Sequence, residues 1–221
     1  MKSPESGSRI LLLSVACAFA LTACSDDDDD DPAPLELSAQ EACDALSGRM
    51  IAGATVNAAS LVPASGTVPE YCLLSARIDP KLNFEVRLPS DWNGKLHYGG
   101  GGGFNGSIPA ANANALSKGF AQVSSDSGHQ ANGRDGSWAL DDQEALTNFA
   151  YLSIPTVTAA TREIVRERYG SEPSRTYFEG CSNGGREALM NAQRFPEVFD
   201  GIIARAPAYR FTGLLLGFNR T

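Results

Sequence analysis

The stretch Tyr177–Arg186, Y-F-E-G-C-S-N-G-G-R, constrains this chain more than any other. It reads as a short strand, a sharp turn and the first turn of a helix. Gly180, Ser182 and Gly184 form G-x-S-x-G within it. A serine hydroxyl is a weak nucleophile and must stand clear of the backbone to meet a base. A strand-to-helix elbow achieves that, with small residues letting the two arms approach. The helix N-terminus then aims N–H groups at developing negative charge. With 22 Gly in 221 residues, the motif arises by chance in on the order of one such chain in ten, so its setting must decide.

The setting begins with a second glycine feature. Lys95–Tyr98 reads as a strand that runs straight into Gly99–Gly103, Phe104, Asn105 and Gly106. Consecutive glycines lose more entropy on folding than any other residues. A flexible surface loop is the plain reading; close backbone approach to a ligand is the sharper one. In α/β-hydrolases one oxyanion-hole N–H follows the nucleophile and the other comes from a Gly-rich loop after an earlier strand. Here those are Asn183 and a member of Gly101–Gly103. A dinucleotide fingerprint fails, because no acidic residue ends a second strand about 20 residues on. The Lys-Ser/Thr pair of a phosphate-binding loop is also missing.

The rest of the chain supplies the matching order of elements. Leu37–Leu46 reads as a short helix, Tyr71–Ile78 and Phe84–Leu88 as strands around an Asp79-Pro80 turn. Pro109–Lys118 reads as a helix ending at Gly119, Phe120–Ser124 as a buried strand, and Ser125–Ser137 as a polar loop carrying His129. Asp141–Tyr169 has the spacing of a long amphipathic helix that Pro155 kinks or divides. A helix from about Gly185 to Arg194 and a strand over Gly201–Ala206 follow the elbow. Alternating strands and helices predict an α/β fold whose sheet is covered on both faces.

Composition narrows the setting. Net charge is −8, but Asp26–Asp31 and Glu5 carry much of it; beyond residue 31 there are 19 acids and 16 bases, a net of −3. No basic footprint for nucleic acid exists. Lys2, Arg9 and the apolar Ile10–Leu21 make residues 1–24 an export signal, too short to span a membrane comfortably. Leu21-Thr22-Ala23-Cys24 resembles a bacterial lipobox, which implies lipidation of Cys24 and a membrane anchor. An ordinary cleaved signal is the alternative. Ser25 after the Cys resembles outer-membrane sorting; a periplasmic or secreted protein is the fallback. Residues 25–36 read as an acidic, Pro-containing tether, because like charges repel and extend. A calcium-binding reading of the Asp run fits poorly, since calcium needs ligands folded around it.

Five Cys are present. Cys17 lies in the signal and Cys24 in the lipobox, leaving Cys43, Cys72 and Cys181 in an oxidising setting. Cys43 and Cys72 can pair locally. Cys181 is then odd: either a buried small hydrophobe or a residue whose partner is absent from this chain. Trp92 and Trp138 read as structural, Trp138 being the better candidate for lining a cleft. Arg186 reads as pairing with an acid near the elbow.

Four stretches together resemble the tannase and feruloyl esterase family: His97–Gly106, Ser125–His129, Tyr177–Arg186 and Phe195–Ile202. The resemblance runs from about Cys43 to Ala208, and the Cys-Ser pair of the elbow is its most specific element. It implies an α/β-hydrolase core acting on aromatic carboxylic esters such as gallates and ferulates. Ser182 matches the nucleophile, and Gly103 and Asn183 the oxyanion positions. Cys43 and Cys72 resemble the family's N-terminal disulfide. Cys181 matches a cysteine that bonds to another beside the catalytic histidine.

One departure is large. The α/β-hydrolase triad runs Ser, acid, His, yet no His follows Ser182, and Glu187, Glu197 and Asp200 are the only acids after it. The reading is therefore residues 37–221 as the N-terminal portion of a truncated core, lacking the triad Asp and His. The lid, which in the family carries a calcium site and much of the ester pocket, is also lacking. No cofactor is expected within this chain. His97 reads as a structural histidine and His129 as a packing residue or substrate contact; neither suits the role of base. A non-catalytic surface lipoprotein that binds aromatic esters or a partner is the alternative, and a depolymerase of the same fold a further one that Cys181 disfavours. Oligomeric state is open.

Overall fold

The computed structural model describes residues 37–218. The export signal, Cys24 and the tether through residue 36 lie outside the described residues. A mixed sheet of eight strands organises the rest, in the order β1-β2-β3-β4-β6-β5-β7-β8. Strands β1 (Met50–Ile51), β2 (Ala54–Val62), β3 (Tyr71–Ile78) and β4 (Leu82–Pro89) form an antiparallel half. β6 (Ala121–Ser125) joins β4 antiparallel. β6, β5 (Lys95–Gly99), β7 (Arg175–Cys181) and β8 (Gly201–Arg205) then run parallel.

Period-two alternation builds the antiparallel core. Cys72, Leu74 and Ala76 of β3 are buried opposite Leu88, Val86 and Phe84 of β4. Helix α1 (Ala39–Asp44) is fixed by a capping box in which Ser38 and Glu41 bond reciprocally, satisfying two helix-start donors. Cys43 of α1 is bonded to Cys72 of β3, as the family resemblance implies, with Cα atoms 5.6 Å apart. Strand β2 goes unpredicted: its register shifts between Val56 and Ala58, and such a bulge breaks the alternation that marks a strand. The short helix α2 (Ala113–Leu116) starts only at Asn112, whose side chain accepts from the Ala115 amide; residues 109–112 are not helical, so the predicted longer helix is corrected.

The long helix is divided just ahead of Pro155. After a 3₁₀ turn at Ser137–Leu140, helix α3 (Gln143–Thr147) passes into a π-helical segment, Asn148–Leu152, and then α4 (Ser153–Tyr169). Pro155, the third residue of α4, has no N–H to offer the π-helical carbonyls behind it, and Ala150 O accepts from the Arg186 side chain instead. Gly170 ends α4 in the left-handed conformation (φ 74°), the usual helix stop. Helix α5 (Asn183–Arg194) begins at the elbow, two residues before its predicted start, and α6 (Phe211–Phe218) closes the described chain.

Helices α4 and α5 cover one face of the parallel half. Leu96 and Tyr98 of β5, Val123 of β6 and Phe178 of β7 are buried there with Ile154, Val157, Ile164 and Ala188. Among the described residues the opposite face of β7 and β8 has no such layer. Glu179 and Tyr177 are only half-buried, and Cys181, Ile203 and Arg205 are exposed. The expected cover on both faces is met on one side only for β7 and β8 among the described residues, where α5 packs on both strands. No described helix is long and apolar enough to cross a membrane.

Candidate active site

The site lies where β7 ends and α5 begins. Ser182 sits between them with φ 60° and ψ −116°, a left-handed backbone that non-glycine residues avoid. Such strain persists only where the surroundings over-determine it. Here the Ser182 N–H donates to Arg205 O (3.1 Å), and its carbonyl accepts from Arg186 (3.1 Å) and Ala208 (2.9 Å). Gly180 must lack a Cβ, because one would lie 2.3 Å from the Gly184 carbonyl oxygen. The first and last positions of G-x-S-x-G therefore touch each other, which brings strand and helix together at the turn.

The glycine run meets the elbow at the same point. The Gly100 N–H donates to Glu179 O (2.9 Å) and the Gly101 N–H to Glu187 Oε2 (3.0 Å). A Cβ on Gly103 (φ 58°) would lie 2.2 Å from Gly133 O, so the chain passes against Gly133 there. Phe104 N–H donates to the same Gly133 carbonyl (2.7 Å). Buried Asn105 anchors the far end, donating to Ser125 O and Ser127 Oγ. The run is thus a pinned loop rather than a loose one.

These contacts put Ser182, Gly103 and Asn183 on one pocket of about 270 Å³, walled by Phe104, Phe211, Leu214 and Leu215, with Arg134 at its rim. Neither the Gly103 nor the Asn183 backbone N–H is engaged in a hydrogen bond among the described residues. Both amides thus border the same pocket as Ser182 with their N–H groups free.

Behind the pocket is a buried polar chain that sequence reasoning missed in part. Glu187 (4% exposed) accepts from Gly101 N–H and from Asn183 Nδ2, each at 3.0 Å. Burial pushes its carboxyl up to about 7, against the opposing pull of Arg186 and its two donors. Arg186 does lie near an acid, 3.9 Å from Glu187, but its hydrogen bonds go elsewhere. It donates to Asn183 Oδ1 (2.7 Å), Ala150 O (3.0 Å) and Phe149 O (2.9 Å), and lies over the Phe149 ring. The two carbonyls belong to the π-helical segment, whose altered bonding pattern makes it a frequent functional feature. The spacing of Arg186 from Ser182 carried no signal of that contact.

The other candidate residues lie apart from Ser182. His129 is buried, stacked on Trp138 (3.6 Å between centroids), with Nε2 3.0 Å from Phe104 O. It does not line the Ser182 pocket, nor does Trp138. His97 pairs with Glu179 (3.2 Å) on the open sheet face, and Glu179 is ion-paired to Arg205. Burial depresses both imidazoles, favouring the neutral form. Trp92 stacks on Tyr169. Cys181 is exposed and free, which corrects the buried-hydrophobe reading: on β7 it alternates to the open face with Tyr177 and Glu179. Asp200 clamps the start of β7, accepting from Thr176 N–H and donating to Thr176 O (2.8 Å each). Among the described residues no group of three or more His, Cys, Asp or Glu is placed to hold a metal ion.

Parallel strands, a glycine loop and a strained serine at a strand–helix elbow define the α/β-hydrolase class. The feruloyl esterase B structure from Aspergillus oryzae superposes with a TM-score of 0.73 at 28% identity, over 80% of this chain and 39% of that one. Tannin acyl hydrolase from Aspergillus niger gives 0.61 at 26% identity, over 79% and 38%. The profile for "Tannase and feruloyl esterase" matches residues 68–220. The chain therefore belongs to the tannase and feruloyl esterase family of carboxylic ester hydrolases. It is 41% identical to an uncharacterized esterase of Agrobacterium fabrum over 184 residues, 74% of this chain and 33% of that protein. It is 36% identical to mono(2-hydroxyethyl) terephthalate hydrolase of Piscinibacter sakaiensis over 209 residues, 79% and 35%. The chain thus spans about a third of the length of these curated relatives.

Proposed function

We propose that this chain carries the nucleophile and oxyanion half of an esterase site for aromatic carboxylic esters. The observation that carries this is the meeting of strained Ser182 with the free amides of Gly103 and Asn183 in one pocket. In this reading Ser182 Oγ attacks the ester carbonyl, and the oxyanion rests on the two amides. The C–O bond to the alcohol then breaks, the alcohol leaving with the proton that solvent water took from Ser182 Oγ, and a second water hydrolyses the acyl-serine to release the acid. The wall of Phe104, Phe211 and leucines suits a flat aromatic acyl group. The printed names of several relatives, a terephthalate monoester hydrolase and feruloyl esterases among them, support the same substrate class.

The triad acid and histidine are not supplied by these 221 residues in this reading. Neither histidine is hydrogen-bonded to Ser182. Turnover by this chain alone then rests on the oxyanion hole and binding, several orders below a complete triad. The same observation supports a second reading, a surface protein that binds aromatic esters without turning them over. Comparing hydrolysis of 4-nitrophenyl benzoate and 4-nitrophenyl acetate by the chain and by Ser182→Ala separates the two. Slow, Ser182-dependent hydrolysis that favours the benzoate supports the esterase reading; equal rates in both proteins support the binder. Placement on a membrane rests on Cys24 lipidation, and Cys24→Ala releasing the protein from the membrane fraction is the expected result.

A further inference from the structure

We propose that Glu187 is a positioning residue that sets the separation of the two oxyanion-binding amides by clamping the glycine run to the elbow helix. This rests on the esterase reading above. Gly103 and Asn183 come from separate parts of the chain, so something must fix their spacing. The carboxylate spans that gap, holding Gly101 through one oxygen and the Asn183 side chain through the other, at 3.0 Å each. The fit leaves no slack on the loop side: a Cβ on Gly100 would lie 2.8 Å from Glu187 Oε2 and 3.0 Å from Gly184 Cα. A carboxylate is the group suited to this place, because both facing groups are donors and only an ionised acid accepts through both oxygens. The Asn183 side chain is held from its other end by Arg186, so its NH₂ must point at Glu187. Glutamine in the same place presents an NH₂ to one of those donors and loses one strap.

The charged or titratable groups facing Glu187 are Arg186, on its own helix, and Tyr98, on β5. Burial keeps the Tyr98 hydroxyl protonated throughout the working range, so it adds no change of charge beside Glu187 near neutrality.

The test is the pre-steady-state release of 4-nitrophenolate from 4-nitrophenyl benzoate, which reads acylation, by the whole chain and by Glu187→Gln, Glu187→Ala and Ser182→Ala. At pH 8, Glu187→Gln is expected to acylate about 10-fold more slowly and Glu187→Ala about 100-fold, the scale of a misplaced oxyanion donor. Wild type is expected to show a step in acylation rate with a midpoint near pH 7, faster above it, that is absent in Glu187→Gln. A purely structural role moves the unfolding midpoint but gives no such step. Rates within twofold of wild type in a folded Glu187→Gln overturn the proposal. Should that variant not fold, a wild-type profile without the step overturns it equally. Wild type that acylates no faster than Ser182→Ala overturns the esterase reading and this proposal together, an outcome distinct from the first two.

Discussion

Neighbouring residues of strand β7 live in two environments. Thr176, Phe178 and Gly180 point under α4 and α5, and all three are buried. Tyr177, Glu179 and Cys181 point the other way, where the described residues place no helix, and are half-buried or exposed. Parallel sheets bury both faces in folded proteins, so this half of the sheet is finished on one side only within the described chain. The difference explains why the elbow can be well defined while its neighbourhood is incomplete. Ser182 is held by backbone groups of the elbow helix and of the chain at and after the end of β8, Arg205 O and Ala208 N–H, rather than by side chains of the open face. The open side holds a free thiol, a histidine with an unpartnered buried Nδ1 and the exposed Ile203.

The contrast can be broken by substitutions along one strand. Gly180→Val is expected to do most damage, because its side chain starts 2.3 Å from a backbone oxygen. Soluble, folded protein should be lost, as judged by circular dichroism and expression. Phe178→Ala removes a fully buried ring packed on Tyr98 and Phe199 and should cost about 3–5 kcal/mol in urea unfolding. Replacing Cys43 and Cys72 by Ala, which opens a loop of sequence separation 29, should cost about 3–4 kcal/mol in the same assay.

A pH prediction sharpens the covered side further. Glu187 holds its proton up to about pH 7 when folded, well above its ordinary range near 4.5. Between those values the folded state binds more protons than the unfolded one, so stability falls as pH rises through that window. Glu187→Gln should flatten the fall, read from urea midpoints at pH 5, 6 and 7. On the open side, Tyr177→Ala and Cys181→Ser should each change stability by less than about 1 kcal/mol. A larger loss at either position would show that the open face is structurally engaged after all.

The elbow and the glycine run were legible because their constraint is local. Backbone approaches under 3 Å admit only glycine, and that requirement is written in the residues themselves. Tyr71–Ile78 was legible because one face is buried and the other is not. Strand β2 was hidden by its register shift. The roles of Glu187 and Arg186 were hidden because each depends on a distant segment, Gly101 for one and the carbonyls of Phe149 and Ala150 for the other. Spacing reveals neither. Alternation placed Cys181 opposite Gly180, but whether that face is covered depends on a layer that strand periodicity does not report.

The central claim is that Ser182 is a nucleophile served by the Gly103 and Asn183 amides. Incubating the chain with 4-nitrophenyl benzoate and mapping the acylated residue by peptide mass spectrometry tests it most directly. With His97 and His129 both bonded elsewhere than Ser182, a benzoyl group should accumulate on the peptide containing Ser182 and be missing from Ser182→Ala. Benzoylation confined to lysines or other surface groups, unchanged by Ser182→Ala, would contradict the account.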